Sequence, residues 1–133
     1  WALLALIFKE EPAAGKVKEL FDNEEKSRLS IYISWINLGE VYYNIARRKG
    51  ITTANAVLND INMLPIRFQV PSKVDILAAA TIKSKHKLSY ADAFAVSLAQ
   101  KINGTILTGD QEIVLLKNLV KVEELTRFRN ISS

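Results

Sequence analysis

The stretch SYADAFAVSLAQKINGTILTGDQE, residues 89–112, contains a helix, a strand and a turn, with a carboxylate at each joint. Ser89 opens a helical pattern that runs from Tyr90 to Ile102. GTILT follows, with Gly104 in front and Gly109 behind, a short apolar run of the kind found in buried parallel strands. Asp92 falls in the first turn of the helix and Asp110 in the loop that ends the strand. Both are caps, or both face something positive.

Working outward, the pattern repeats. Before this stretch lie a helix from Ser72 to about Ser84, the segment IRFQV (66–70) between Pro65 and Pro71, and a helix from about Thr52 to Asn62. Further back, Ser34 caps a helix from Trp35 to Lys49, and LSIYI, Leu29 to Ile33, alternates as a strand. The chain opens with helical segments from Trp1 to Lys9 and from Ala13 to Lys26, the second showing Val17, Leu20 and Phe21 at helical spacing, with Pro12 between them. After GTILT, a brief helix spans Gln111 to Lys117 and a last strand Leu119 to Val122. Strands separated by helices predict an α/β layered fold with a mainly parallel sheet.

Composition sets the outer limits. With 133 residues, 49% of them hydrophobic, and no repeats or linkers, the chain is expected to form a single domain with its own core. The absence of cysteine excludes disulfides, thiolate metal ligation and a cysteine nucleophile, and makes a reducing, cytoplasmic setting the default. WALLALIF is only eight residues long and runs into Lys9, Glu10 and Glu11, too short for a membrane span. It begins without methionine, inside a helix, so further residues are expected before it.

The net charge of +4 and pI near 9.4 suit an anionic partner such as nucleic acid. The excess is clustered. Arg47, Arg48 and Lys49 close one helix before Gly50, where cations complement the helix dipole, and Lys83, Lys85, His86 and Lys87 fill one connection, where capping and binding weigh equally.

In an α/β fold the ends of strands and the beginnings of helices share one edge of the sheet, and ligands bind there. Glu40, in the second turn after LSIYI, Asp92 and Asp110 are all expected at that edge. Each carboxylate has an ordinary explanation. Ser89 and Asp92 fit an S-x-x-D capping box, and Asp110 can cap the short helix after it, with Thr108 and Gln111 as a rival pair. Glu40 borders a core face drawn through Leu38, Val41, Tyr42 and Ile45, and a salt bridge to lysine would satisfy it. Together, three acids at one edge call for a divalent cation or raised pKa values. Oxygen-only ligation points to Mg²⁺ or Mn²⁺, and to metal-assisted phosphodiester cleavage with the basic clusters holding the backbone.

Four pieces in order, WALLALIFKEEP, ISWINLGEVYYNIARRKG, LSYADAFAVSLAQ and GTILTGDQE, resemble a PIN-domain nuclease, more narrowly a VapC-type toxin of a toxin–antitoxin pair. The resemblance implies a three-layer α/β/α sandwich, Mg²⁺ or Mn²⁺ dependence and endonucleolytic cleavage of RNA. It makes Glu40, Asp92 and Asp110 the metal ligands and gives Thr108 a supporting role. It also implies a VapB-like antitoxin in the active groove and a homodimer. The family's first aspartate ends a first strand just upstream of a WALLAL-like helix, and this sequence begins after that point.

Other residues carry weaker expectations. Glu112 is an outer-shell acid or a first-turn residue favourable to the helix dipole. His86 is a solvated surface residue, Tyr42 a core residue and Tyr43 available to stack on a base, and Asn37 is placed to orient Glu40. Two rivals remain: a PIN-like module that binds RNA or protein without catalysis, and a phospho-acceptor switch that would need Lys117 near the acidic pocket.

Overall fold

The computed structural model describes residues 1–27 and 30–126. Helices α1 (Ala2–Ile7) and α2 (Ala13–Ser27) lead to strand β1 (Ile31–Ser34), helices α3 (Trp35–Lys49) and α4 (Ile51–Asn62) and strand β2 (Ile66–Gln69). Helices α5 (Lys73–Lys85) and α6 (Tyr90–Ile102), strand β3 (Thr105–Thr108), the single turn α7 (Gln111–Val114) and strand β4 (Lys121–Glu124) complete the order. Leu29, expected to start β1, and residues 127–133 of the expected domain lie outside the described residues. No helix among the described residues is long and apolar enough to cross a membrane.

Local chemistry fixes the joints. Ser34 ends β1 and caps α3 with no loop between, its Oγ accepting from Ile36 N at 3.2 Å. Leu38, Val41 and Ile45 form the buried stripe of α3, and Tyr42 is half-buried with its hydroxyl donating to Asn55 Oδ1 at 2.8 Å. Gly50, at φ +90°, donates its N–H to Ala46 O at 2.9 Å and so closes α3 one residue before α4 begins. The core-face and Gly50 expectations hold.

Every ladder is parallel, as expected for strands joined through helices. β1 pairs with β2 from Ile31 opposite Ile66 to Ser34 opposite Gln69, and β3 with β4 from Thr105 opposite Lys121 to Thr108 opposite Glu124. A bond from Leu125 N to Thr108 O at 2.7 Å continues the second ladder. The two ladders are not hydrogen-bonded to each other among the described residues. Helix α6 packs on β1, β3 and α3 and so holds both ladders together.

The layers follow from strand alternation. Ile106 turns to the core of α5 and α6, with Ala79, Phe94, Val96 and Ala99, while Leu107 turns the other way onto Ala13 and Val17 of α2. A second cluster joins Leu38, Val41, Ile45, Ala54 and Ile61 to Ile33 and Phe68. This is the α/β sandwich expected from the sequence.

Several boundaries move. α1 ends at Ile7, with Lys9 at φ +54°. α7 stops at Val114, and β4 begins at Lys121, because Leu119 N and Val120 N both turn back onto Leu116 O at 2.9 and 3.3 Å and are lost to a ladder. Lys117 therefore sits in a turn rather than on a helix.

Gly109 is where β3, the chain's first residue and the end of β4 meet. A Cβ there would run into the Trp1 ring and lie 2.7 Å from Leu125 O. Gly109→Ala is expected to cost about 1–3 kcal/mol by overpacking, and Leu38→Ala about 2–5 kcal/mol through the cavity it leaves, both read as shifts of the urea midpoint.

Candidate metal centre

Three elements deliver carboxylates to one place. Asp92 rides on the first turn of α6, Asp110 follows the β3–Gly109 joint, and Glu112 lies in the first turn of α7. One oxygen from each of the three lies within 4.8 Å of the others. An all-carboxylate donor set of this kind suits a hard divalent ion such as Mg²⁺ or Mn²⁺. No lysine or arginine is ion-paired with these carboxylates among the described residues; the lysine pairs there are Lys16–Glu123 and Lys101–Asp75.

The two readings of Asp110 turn out to be compatible. Its Oδ1 accepts from Glu112 N at 2.9 Å, which makes it the N-cap of α7, and the same carboxylate still faces Asp92. Buried Thr108 accepts from Asp110 N at 3.0 Å and fixes the turn. The rival capping pair does not form: Thr108 bonds Asp110 rather than Gln111, and the Gln111 side chain reaches Glu124 at 3.0 Å.

Asp92 is where capping falls short. In α5 the same Ser-x-x-Asp pattern closes fully: Ser72 Oγ accepts from Asp75 N at 3.2 Å and Asp75 Oδ2 accepts from Ser72 N at 2.9 Å. Those bonds, with Lys101, hold the Asp75 carboxyl below its ordinary value. In α6, Ser89 Oγ accepts from Asp92 N at 3.1 Å but no return bond to Ser89 N forms. Half-buried Asp92 is pushed up to about 6, first by desolvation, then by the charge of Asp110 and a hydrogen bond with it. Ser89 opposes the shift, and Glu40 adds a smaller push upward.

Glu40 is thus within electrostatic reach of Asp92 but outside the close group of three. Glu112 takes the closer place. The sequence signal for it was its position two residues after Asp110 on a tight turn, a spacing that also suits the helix dipole. Asn37, expected to orient Glu40, turns its amide elsewhere: Nδ2 donates to Ala91 O at 2.8 Å and pins α3 to the head of α6. Asn44 Nδ2 binds the Glu40 carbonyl at 2.9 Å.

The basic clusters divide between structure and surface. Arg48 lies 4.3 Å from the centre of the Phe8 ring, joining α3 to α1, and Lys83 Nζ donates to Leu88 O at 2.9 Å. His86 is the half-buried C-cap of α5 rather than a fully solvated residue. Lys85 and Lys87 stay exposed. Lys117, in its turn beyond α7, gives the phospho-acceptor reading no support.

Because the folded pKa of Asp92 exceeds its ordinary 3.8, the native protein binds more protons than the unfolded chain between pH 3.8 and about 6. Without divalent ions, this group's contribution is fully favourable below that window and is lost as pH rises through it. Urea midpoints should therefore fall across the window in EDTA, and Asp110→Asn should flatten the slope.

The chain also matches known proteins. Residues 2–119 match the family model described as PIN domain. No curated protein matches. The fold is similar to a chain in the crystal structure of VapBC2 from Rickettsia felis bound to a DNA fragment from their promoter, with a TM-score of 0.67, 17% identity and 92% of each chain covered. With the family model spanning nearly the whole chain and the fold agreeing with it, the chain belongs to the PIN-domain family.

Proposed function

We propose that this chain is a Mg²⁺- or Mn²⁺-dependent endoribonuclease, the VapC-type toxin of a toxin–antitoxin pair. The observation that carries the reading is the group of carboxylates at the strand ends, unpaired with lysine or arginine among the described residues, in which Asp92 is held at about 6 by burial and by its acidic neighbours. Charge arranged against itself in this way is relieved by a cation.

Asp92 and Asp110 are the central ligands, with Glu40 closing from α3 and Glu112 from α7. When bound, the ion supplies Lewis-acid polarisation of a phosphoryl oxygen and a water of lowered pKa. The chain's own contribution is placement. Thr108 holds the Asp110 backbone, and Asn37 fixes α3, and with it Glu40, to the helix that carries Asp92. The similarity to a VapBC2 chain supports a small VapB-like antitoxin as partner, with a homodimer and a cytoplasmic setting as further parts of the proposal.

The test is cleavage of a mixed RNA set by the protein, with Mn²⁺ or with EDTA. Metal-dependent cutting supports the reading; none, together with no Mn²⁺ binding by calorimetry, favours a non-catalytic binding module. Glu40→Gln, Asp92→Asn and Asp110→Asn are each expected to lower cleavage by more than about 100-fold, since even outer-shell changes at metal sites cost 10–100-fold. Asp92→Asn should also raise the melting temperature of the metal-free protein at neutral pH, an effect opposite in sign to the loss of a helix cap.

A further inference from the structure

Glu40 shares its stripe of α3 with three residues that the acid cluster does not use. Ile36, Glu40, Tyr43 and Arg47 are spaced by four, three and four, which places them on one face of the helix. Ile36 is 41% exposed and Tyr43 49% exposed, so the helix shows solvent an apolar side chain on one side of Glu40 and an aromatic ring on the other. The Arg47 guanidinium lies 5.4 Å from the centre of the Tyr43 ring. Tyr43 stands about 4.5 Å along the helix axis from Glu40, and Arg47 about 10 Å.

The neighbouring side chains on α3 are otherwise engaged. Tyr42 bonds Asn55, Arg48 lies over Phe8, and Asn37 and Asn44 bond backbone carbonyls. Tyr43 instead stands half exposed, and the partner of its ring is a cation that also suits phosphate. A half-exposed ring beside a guanidinium and one turn from Glu40 has the chemistry of a single-strand stacking platform.

We propose that Tyr43 and Arg47 form a nucleotide subsite for single-stranded RNA beside the acid cluster, with one unpaired base stacking on the Tyr43 ring and an adjacent phosphate meeting Arg47. The inference rests on the nuclease reading above for its choice of ligand. It adds that the substrate is single-stranded at that nucleotide, because a base inside a duplex offers no free face to the ring.

The probes are a short fluorescein-labelled single-stranded RNA of mixed sequence and its duplex, titrated in Ca²⁺ buffer and checked for integrity on a gel. Tyr43→Ala should weaken binding of the single strand about tenfold, leave the duplex unchanged, and leave the melting temperature and Mn²⁺ affinity as they were. Tyr43→Phe should restore binding, and Arg47→Ala should lower the slope of log K against log salt by about one. Unchanged single-strand binding by Tyr43→Ala, with cleavage by the unaltered protein intact, overturns the subsite and spares the nuclease. An unaltered protein that cuts no RNA yet binds the single strand through Tyr43 overturns the nuclease reading and supports the subsite. An unaltered protein that binds no single-stranded RNA overturns the subsite outright.

Discussion

The burial of α6 is the constraint on which the other parts depend. Ala93, Phe94, Val96, Ser97, Leu98 and Ala99 are all buried, so the helix has little room to rotate or slide between its neighbours. It touches both strand ladders, α3 and α5. Asp92 sits one residue before this buried run and inherits its position. The carboxylate is thus held beside Asp110 by the apolar packing that begins at the next residue, which is how a fold keeps like charges together that would separate in solution.

Two copies of one short motif show why sequence stops short of chemistry. Ser72-x-x-Asp75 and Ser89-x-x-Asp92 are indistinguishable as capping boxes, and each serine caps its helix. The aspartates part company because of what lies across from them. Asp75 meets Lys101, while Asp92 meets Asp110. A capping motif is a local instruction, and the charge opposite it is decided by topology.

Elements with local signals are legible in the residues themselves. The helix bounded by Ser34 and Gly50, the stripe through Leu38, Val41 and Ile45, and the strand TILT between its glycines all follow from capping, periodicity and apolar length. Asp92 and Asp110 are legible as edge residues because parallel topology brings strand ends and helix starts together. That Glu112 joins the close group while Glu40 stays outside it is not, since both depend on a few ångströms of helix placement. The start of β4 escapes for a related reason: a turn after α7 takes the backbone donors of Leu119 and Val120, a competition invisible in residue type.

The joint at Ser34 has no spare length. One residue ends the strand and caps the helix, so a single insertion there would turn α3 by about 100° about its axis and swing Glu40 away from Asp92, taking the Asn37 clasp on Ala91 with it. What selection must hold constant at this junction is a count of residues, and drift in the identity of side chains around it is tolerable in a way that drift in chain length is not.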